Sequence, residues 1–168
     1  MNPEPSLTQL FHGTCIDFDG AGVLILGSPG SGKSDLGLRL LDQPGLGLSG
    51  QAKTAALVSD DQVIVTLDQG RLLARPPPAI RGLLEVRGLG IVELPYRPQS
   101  TLALVVTLSD VSAIERLPEP QDLAFTILGQ KLPLLRLDPR IASAPARVRA
   151  ALDSLPVEAP IVISTLQR

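Results

Sequence analysis

A chain of 168 residues fits one ordinary domain and is long enough to bury a real core. Apolar residues make up 44% of it and aromatics only 2%, so that core has to be built from Leu, Val, Ile and Ala. A net charge of −2 and a pI near 5.3 leave no broad basic footprint for nucleic acid. The longest apolar run, 102–108, is strand-sized and far short of a membrane span. Residues 1–10 hold neither a basic region nor an apolar stretch, so no secretory signal is expected. Cys15 is the single cysteine; it excludes an internal disulfide, is compatible with a reducing cytoplasm, and reads as a small buried hydrophobe.

In chain order, residues 14–18 alternate like a strand, 19–22 read as a turn, and 23–26 form a short apolar strand. A glycine-rich loop follows, and 33–41 carries Leu36, Leu38, Leu40 and Leu41 among good helix formers. Pro44 and Gly45 end that helix, and 45–50 reads as an exposed loop. The next strand, 55–59, stops at Asp60-Asp61. Strands 63–67 and 71–74 flank Asp68-Gln69-Gly70, a hairpin signal. Prolines over 75–78 break regular structure, and 83–86 precedes Arg87-Gly88-Leu89-Gly90. The continuous apolar character of 101–108 predicts a central strand, 127–137 one more strand, and 146–155 a closing helix. The tail 160–166 reads as an added strand or a docking segment. No internal repeat is present, and the pattern gives a single domain over 1–168 with its core at about 11–155.

The segment Gly27-Ser28-Pro29-Gly30-Ser31-Gly32-Lys33-Ser34 matches G-x-x-x-x-G-K-S in full, between an apolar strand and a helix. Its glycines let the backbone approach a phosphate, and successive N–H groups form an anion cradle reinforced by the helix dipole. The cradle runs on into the first helical turn at Asp35. Lys33 supplies a mobile cation for the β- and γ-phosphates, and Ser34 offers a hydroxyl to Mg²⁺. The pattern arises by chance in a chain of this size on the order of once in a hundred. These residues predict binding of a nucleoside triphosphate, or a similar polyphosphate, with Mg²⁺.

Asp60 and Asp61 end a strand, so they fall at the carboxyl edge of the sheet, where an α/β protein places its ligand. One suits the Mg²⁺ side and the other a base toward an attacking hydroxyl; the bland alternative is a pair that merely turns the chain. Glu85, among apolar neighbours, needs either a metal or an ion pair with Arg87 or Arg81. His12 is the only histidine and stands just before the first predicted strand.

Taken together, Phe11-His12-Gly13, the loop at 27–34, Leu57-Val58-Ser59-Asp60-Asp61 and the stretch 84–91 resemble the catalytic domain of HPr kinase/phosphorylase. That bacterial enzyme phosphorylates a serine of the phosphocarrier protein HPr and also removes the phosphate. The resemblance implies an α/β fold, a P-loop nucleotide-binding domain of the phosphoenolpyruvate carboxykinase-like type with a mixed sheet and flanking helices. It implies ATP and Mg²⁺, an HPr-like partner in the phosphotransferase system, a homo-oligomer and a cytoplasmic location. Asp61 would then be the base, with His12 and Asp60 in support, Lys33 on phosphate, Ser34 and Glu85 on Mg²⁺, and Arg87 and Arg140 as phosphate or partner contacts. Two departures stand out. Family members usually carry a further N-terminal domain, whereas here the phosphate machinery begins near residue 12. The long form's basic Pro-Val-x-Pro-Gly-Arg-Asn stretch is replaced by residues 132–140, where only Arg140 matches, so the chain is similar to a short proteobacterial form with a weakened case for phosphorolysis. A small-molecule kinase or NTPase and a non-catalytic nucleotide sensor remain the alternatives.

Overall fold

The computed structural model describes residues 7–155. Ten strands, two α-helices and short 3₁₀ turns make up these residues. Strands β1 (Thr8–Phe18) and β2 (Ala21–Leu26) form an antiparallel pair joined by a tight turn at Asp19-Gly20. Helix α1 (Lys33–Asp42) follows the glycine-rich loop, and β3 (Ala55–Ser59) returns to pair with β1. Strands β4 (Gln62–Asp68) and β5 (Arg71–Arg75) form the expected hairpin, turning through Gln69 and Gly70, both at positive φ. A small separate ribbon, β6 (Leu83–Val86) with β7 (Gly90–Glu93), precedes β8 (Ser100–Leu108). Strands β9 (Ala124–Ile127) and β10 (Gln130–Leu137) then lead to α2 (Ala144–Asp153).

The sheet is mixed, and helices flank it, as the family resemblance implies. Across it the strands run β3-β1-β2-β8-β10-β9, with β2–β8 and β8–β10 parallel and the other pairs antiparallel. The first half of β1 departs from β2 and pairs with β4, while β5 pairs with the start of β8. Strands β1, β4, β5, β8 and β2 therefore close into a ring of hydrogen-bonded neighbours. Alternate side chains of the central strands enter two cores. Ile16, Phe18, Val23, Ile25, Leu104 and Val106 pack on Leu36 and Leu40 of α1 and on Val148 and Leu152 of α2. Cys15, Leu24 and Val105 pack on the other face with Val63, Val65 and Leu72 of the β4–β5 arm. Cys15 is fully buried, as its sequence context predicts, and burial pushes its thiol pKa up.

The structure corrects several boundaries. His12 lies inside β1, not before it. The single strand expected over 127–137 is a hairpin, because Leu128 takes φ 47° and Gly129 φ 79° and turns the chain between β9 and β10. Arg87-Gly88-Leu89 is the tip of the β6–β7 ribbon, and α2 starts two residues early with Pro145 in its first turn. The predicted tail segment at 160–166 lies outside the described residues. Among those residues no helix is long and apolar enough to cross a membrane.

Helix α1 is held at its C-terminal end and at its middle. Arg149 of α2, 4% exposed, donates to the carbonyl oxygens of Leu40 (3.1 Å) and Gln43 at its C-terminus. In mid-helix, Gly37 lets α1 lie directly on β1: a Cβ there would come within 2.9 Å of the Thr14 methyl. Glycine costs about 1 kcal/mol of helix propensity relative to alanine. Its retention at a buried position therefore reflects the close approach. Gly37→Ala is expected to destabilise by about 1–2 kcal/mol, overpacking outweighing the gained propensity. A melting temperature equal to or above that of the parent, read by circular dichroism, would remove packing as the reason for the glycine.

Candidate active site

Four strand ends meet at one edge of the sheet. Strands β2, β3, β8 and β10 all run in the same direction, because β3 and β2 are each antiparallel to β1 while β8 and β10 are parallel to β2. Their carboxyl ends carry, in order, the glycine-rich loop, Asp60-Asp61, Asp110 just beyond β8, and Asp138-Pro139-Arg140. This is the edge at which open α/β sheets place ligands.

The loop has the geometry its residues predict. Gly30 and Gly32 take φ 75° and 99°, and Gly32 caps α1 in the left-handed region. The first N–H groups of α1, from Lys33 to Asp35, have no partner within the helix and lie at the positive end of its dipole. Lys33 Nζ donates to the carbonyl oxygens of Gly27 (2.9 Å) and Ser28 (3.0 Å), so its ammonium lies over the loop, with no carboxylate paired to it among the described residues. Ser31 Oγ is buried without a hydrogen-bond partner among the described residues. A free cation, an orphaned hydroxyl and unused amides on one loop fit a polyphosphate. The Asp35 carboxylate instead pairs with Arg39 at 3.1 Å on the exposed side of α1, leaving only its backbone for the cradle.

Asp60 sits at the centre of the edge, 4% exposed. Its Oδ1 accepts from Thr14 Oγ1 at 2.7 Å and Ser34 Oγ at 2.8 Å; its Oδ2 accepts from Ser34 Oγ at 3.0 Å and the Glu85 amide at 3.2 Å. Side chains or backbone of β1, α1 and β6 thus converge on one carboxylate. No Lys or Arg pairs with it among the described residues, and a buried carboxylate without a cation is costly. The donor set of Asp60 and Ser34 suits a hard divalent cation completed by phosphate oxygens and water. No cage of three or more His, Cys, Asp or Glu side chains exists among the described residues.

Asp61 is exposed and takes φ 68°, a left-handed conformation that Asp tolerates better than most residues. Its carbonyl oxygen accepts from the Gly13 amide at 3.0 Å, and the Gln62 amide reaches back to the Asp60 carbonyl at 2.8 Å. The chain therefore kinks at the pair between β3 and β4, opposite Gly13-Thr14 of β1. His12 stands beside this kink, exposed, and pairs in register with Gln62. Glu85 points its side chain to the surface, with no ion pair to Arg87 or Arg81 among the described residues; its backbone, not its carboxylate, touches Asp60. Arg87 is exposed at the tip of the β6–β7 ribbon.

Arg140 is committed elsewhere. Its guanidinium donates to Asp138 Oδ1 (2.9 Å) and Oδ2 (2.7 Å) and to Asp110. Asp138 is buried, and Arg140 beside it, helped by the Arg140 and Val111 amides, holds its carboxyl well below the usual range. Asp110 is lowered to about 2, first by Ser112 and then by Arg140. Pro139, between Asp138 and Arg140 in the chain, packs on the loop at Gly32, and its carbonyl accepts from Arg39 of α1. The sequence reading missed Thr14, Gly37, Asp138 and Asp110. Two of them left a signal: Gly37 as a glycine inside a helical pattern, and Thr14 as a polar residue in line with Ile16 and Phe18.

A family model described as the HPr Serine kinase C-terminal domain matches residues 5–148. The chain belongs to this family. A relative from Cupriavidus metallidurans named HPr kinase/phosphorylase is 40% identical over 117 residues, 64% of this chain and 33% of the relative. Another of that name, from Chlorobaculum tepidum, is 35% identical over 149 residues, 82% of this chain and 40% of the relative. The chain thus spans between about a quarter and two fifths of the length of the curated relatives it matches. Among solved structures, the Hpr(Ser) kinase/phosphatase from Coxiella burnetii has the same fold, with a TM-score of 0.70 at 24% identity over 86% of this chain and 88% of that one.

Asp138 and Asp110, with lowered folded-state pKa values, contribute stability that is present above the unfolded value near 4 and is lost as the pH falls through the folded values, about 2 for Asp110 and lower for Asp138. Arg140→Gln should therefore lower the melting temperature at pH 7 and flatten its decline between about pH 4 and pH 2. An unchanged acid limb, read by thermal melts across that range, would show that the arginine does not carry it.

Proposed function

We propose that this chain is an ATP-dependent protein-serine kinase acting on HPr or a closely related phosphocarrier of the phosphotransferase system, and so a regulator of carbon metabolism. The observation that carries the reading is the contact of Ser34, on the phosphate-binding loop, with Asp60, on the strand-end carboxylate pair. It joins the part that grips a triphosphate to the part that activates an acceptor, in a chain of the HPr serine kinase family. On this reading the chain works as a single P-loop domain, in the cytoplasm and as a homo-oligomer.

Little covalent work falls to the protein; it positions groups and neutralises charge. The loop amides from Gly27 to Asp35 and the Lys33 ammonium bind the β- and γ-phosphates. Lys33 leaves its two carbonyl partners for phosphate oxygens, an exchange of weak dipoles for full charges. Ser34 and Asp60 hold Mg²⁺, with Glu85 at the mouth of the same site. Mg²⁺ supplies neutralisation of the charge shared by the β- and γ-phosphates. Asp61 takes the proton of the seryl hydroxyl as its oxygen bonds to the γ-phosphorus and the bond to the ADP oxygen breaks. The kink that exposes Asp61 while burying Asp60 divides the pair between these two tasks, and His12 lies beside the acceptor side. Arg140, tied to two carboxylates, gives no support to a reverse reaction.

Incubation with labelled ATP, Mg²⁺ and purified HPr should place label on a serine. Asp61→Asn keeps the side-chain shape and tolerates the positive φ, so it should lower transfer by about 10²–10⁴-fold with nucleotide binding retained. Full activity in that variant would sink the base assignment. Lys33→Ala should weaken ATP binding by about 30-fold or more in calorimetric titration, the loss of a charge-assisted contact. Unchanged affinity would refute the role given to the loop.

A further inference from the structure

We infer that Thr14 is a positioning residue for the metal side of this site, acting through Asp60; the inference rests on the reading of Ser34 and Asp60 as Mg²⁺ holders. Thr14 lies in β1 on the face turned to α1, in line with Ile16 and Phe18, and is fully buried. Its methyl meets Gly37. Packing alone would be met by valine, which has the same branched shape; the hydroxyl is the only part that an apolar face does not explain. That hydroxyl donates to Asp60 Oδ1 at 2.7 Å, the shortest contact Asp60 makes.

The remaining contacts show why this bond has work to do. Ser34 Oγ lies within 2.8 and 3.0 Å of both Asp60 oxygens, and its single proton can serve only one of them at a time. The Glu85 amide holds Oδ2 weakly, at 3.2 Å. Without Thr14 the carboxylate keeps only the Ser34 proton, shared between its two oxygens, and the long amide contact on Oδ2, so its plane is less firmly held. With Thr14 on Oδ1 and the amide on Oδ2, the plane of the carboxylate is fixed from two strands, β1 and β6. Ser34 then keeps its proton toward Asp60 and its lone pairs toward the phosphate side. Gly37 belongs to the same device, since a side chain there would push α1, and with it Ser34, away from β1.

The test compares Thr14→Val and Thr14→Ser with the parent chain by titrating Mg²⁺ into protein and a fluorescent ATP analogue, with a parallel titration of the analogue in EDTA. Thr14→Val should raise the Mg²⁺ concentration for half-maximal binding about tenfold while leaving the EDTA affinity unchanged, the loss expected for a hydrogen bond to a charged group. Thr14→Ser, which restores the hydroxyl without the methyl, should return the Mg²⁺ midpoint to within about twofold of the parent. Equal Mg²⁺ midpoints for the valine variant and the parent overturn the inference and leave the proposed function standing. A valine variant that loses affinity equally with and without Mg²⁺, or a serine variant that fails to recover, also overturns it by showing a purely structural role. A parent chain whose binding ignores Mg²⁺ overturns both this inference and the reading beneath it.

Discussion

The buried carboxylate of Asp60 is the constraint around which the candidate site is arranged. One side chain receives donors from β1, α1 and β6, elements far apart in the chain. A carboxylate in that position is tolerable only while those donors remain, because desolvation without hydrogen bonds costs several kcal/mol. The distance from α1 to β1, the entry of the chain into the phosphate-binding loop and the placing of the β6–β7 ribbon beside it are therefore coupled requirements. A shift of any one element leaves a buried polar group unpaired. That coupling explains a glycine in mid-helix and a threonine on an apolar strand face, both unfavourable when judged locally.

The neighbouring carboxylate has the opposite environment. Asp61 follows Asp60 directly, yet it is exposed, because the chain kinks into the left-handed region between β3 and β4. In a regular strand the two residues would face opposite sides of the sheet, one in each core. The kink instead leaves one in the interior at the Ser34 hydroxyl and presents the other to solvent at the rim. Backbone strain of this kind persists where surrounding hydrogen bonds over-determine it. Here the Gly13 amide on the Asp61 carbonyl and the Gln62 amide on the Asp60 carbonyl do so.

What was legible in the sequence follows the range of each interaction. The loop at 27–34 could be read because its requirements are local: glycines, one lysine and one serine at fixed spacing between a strand and a helix. The central strand β8 could be read from its continuous apolar run, and the β4–β5 hairpin from Gln69-Gly70. The β9–β10 turn could not, since Leu128 adopts a positive φ that no leucine advertises. Closure of β1, β4, β5, β8 and β2 into a ring depends on pairings between residues far apart, and no local pattern encodes them. The same holds within the site. Asp60 was visible as a strand-ending acid, but its partner Thr14, 46 residues away, became visible only with the fold. Arg140 was visible as a lone basic residue, while the two carboxylates that occupy it were not.

The fate of Arg140 bears on how the edge is divided. Asp138 and Asp110 leave the carboxyl ends of adjacent parallel strands, β10 and β8, and each accepts from the same guanidinium. The arginine thereby joins two strand ends, while Pro139, next to Asp138, presses on Gly32 and its carbonyl takes a hydrogen bond from Arg39. Pro139 thereby braces the glycine-rich loop at Gly32. Two buried carboxylates, Asp60 and Asp138, therefore stand at this edge. One, Asp60, has no cationic partner among the described residues and is suited to a metal; the other, Asp138, is neutralised in place and is suited to structure. Two buried acids at one sheet edge diverge in role because one has an arginine within reach and the other has only hydroxyls and an amide.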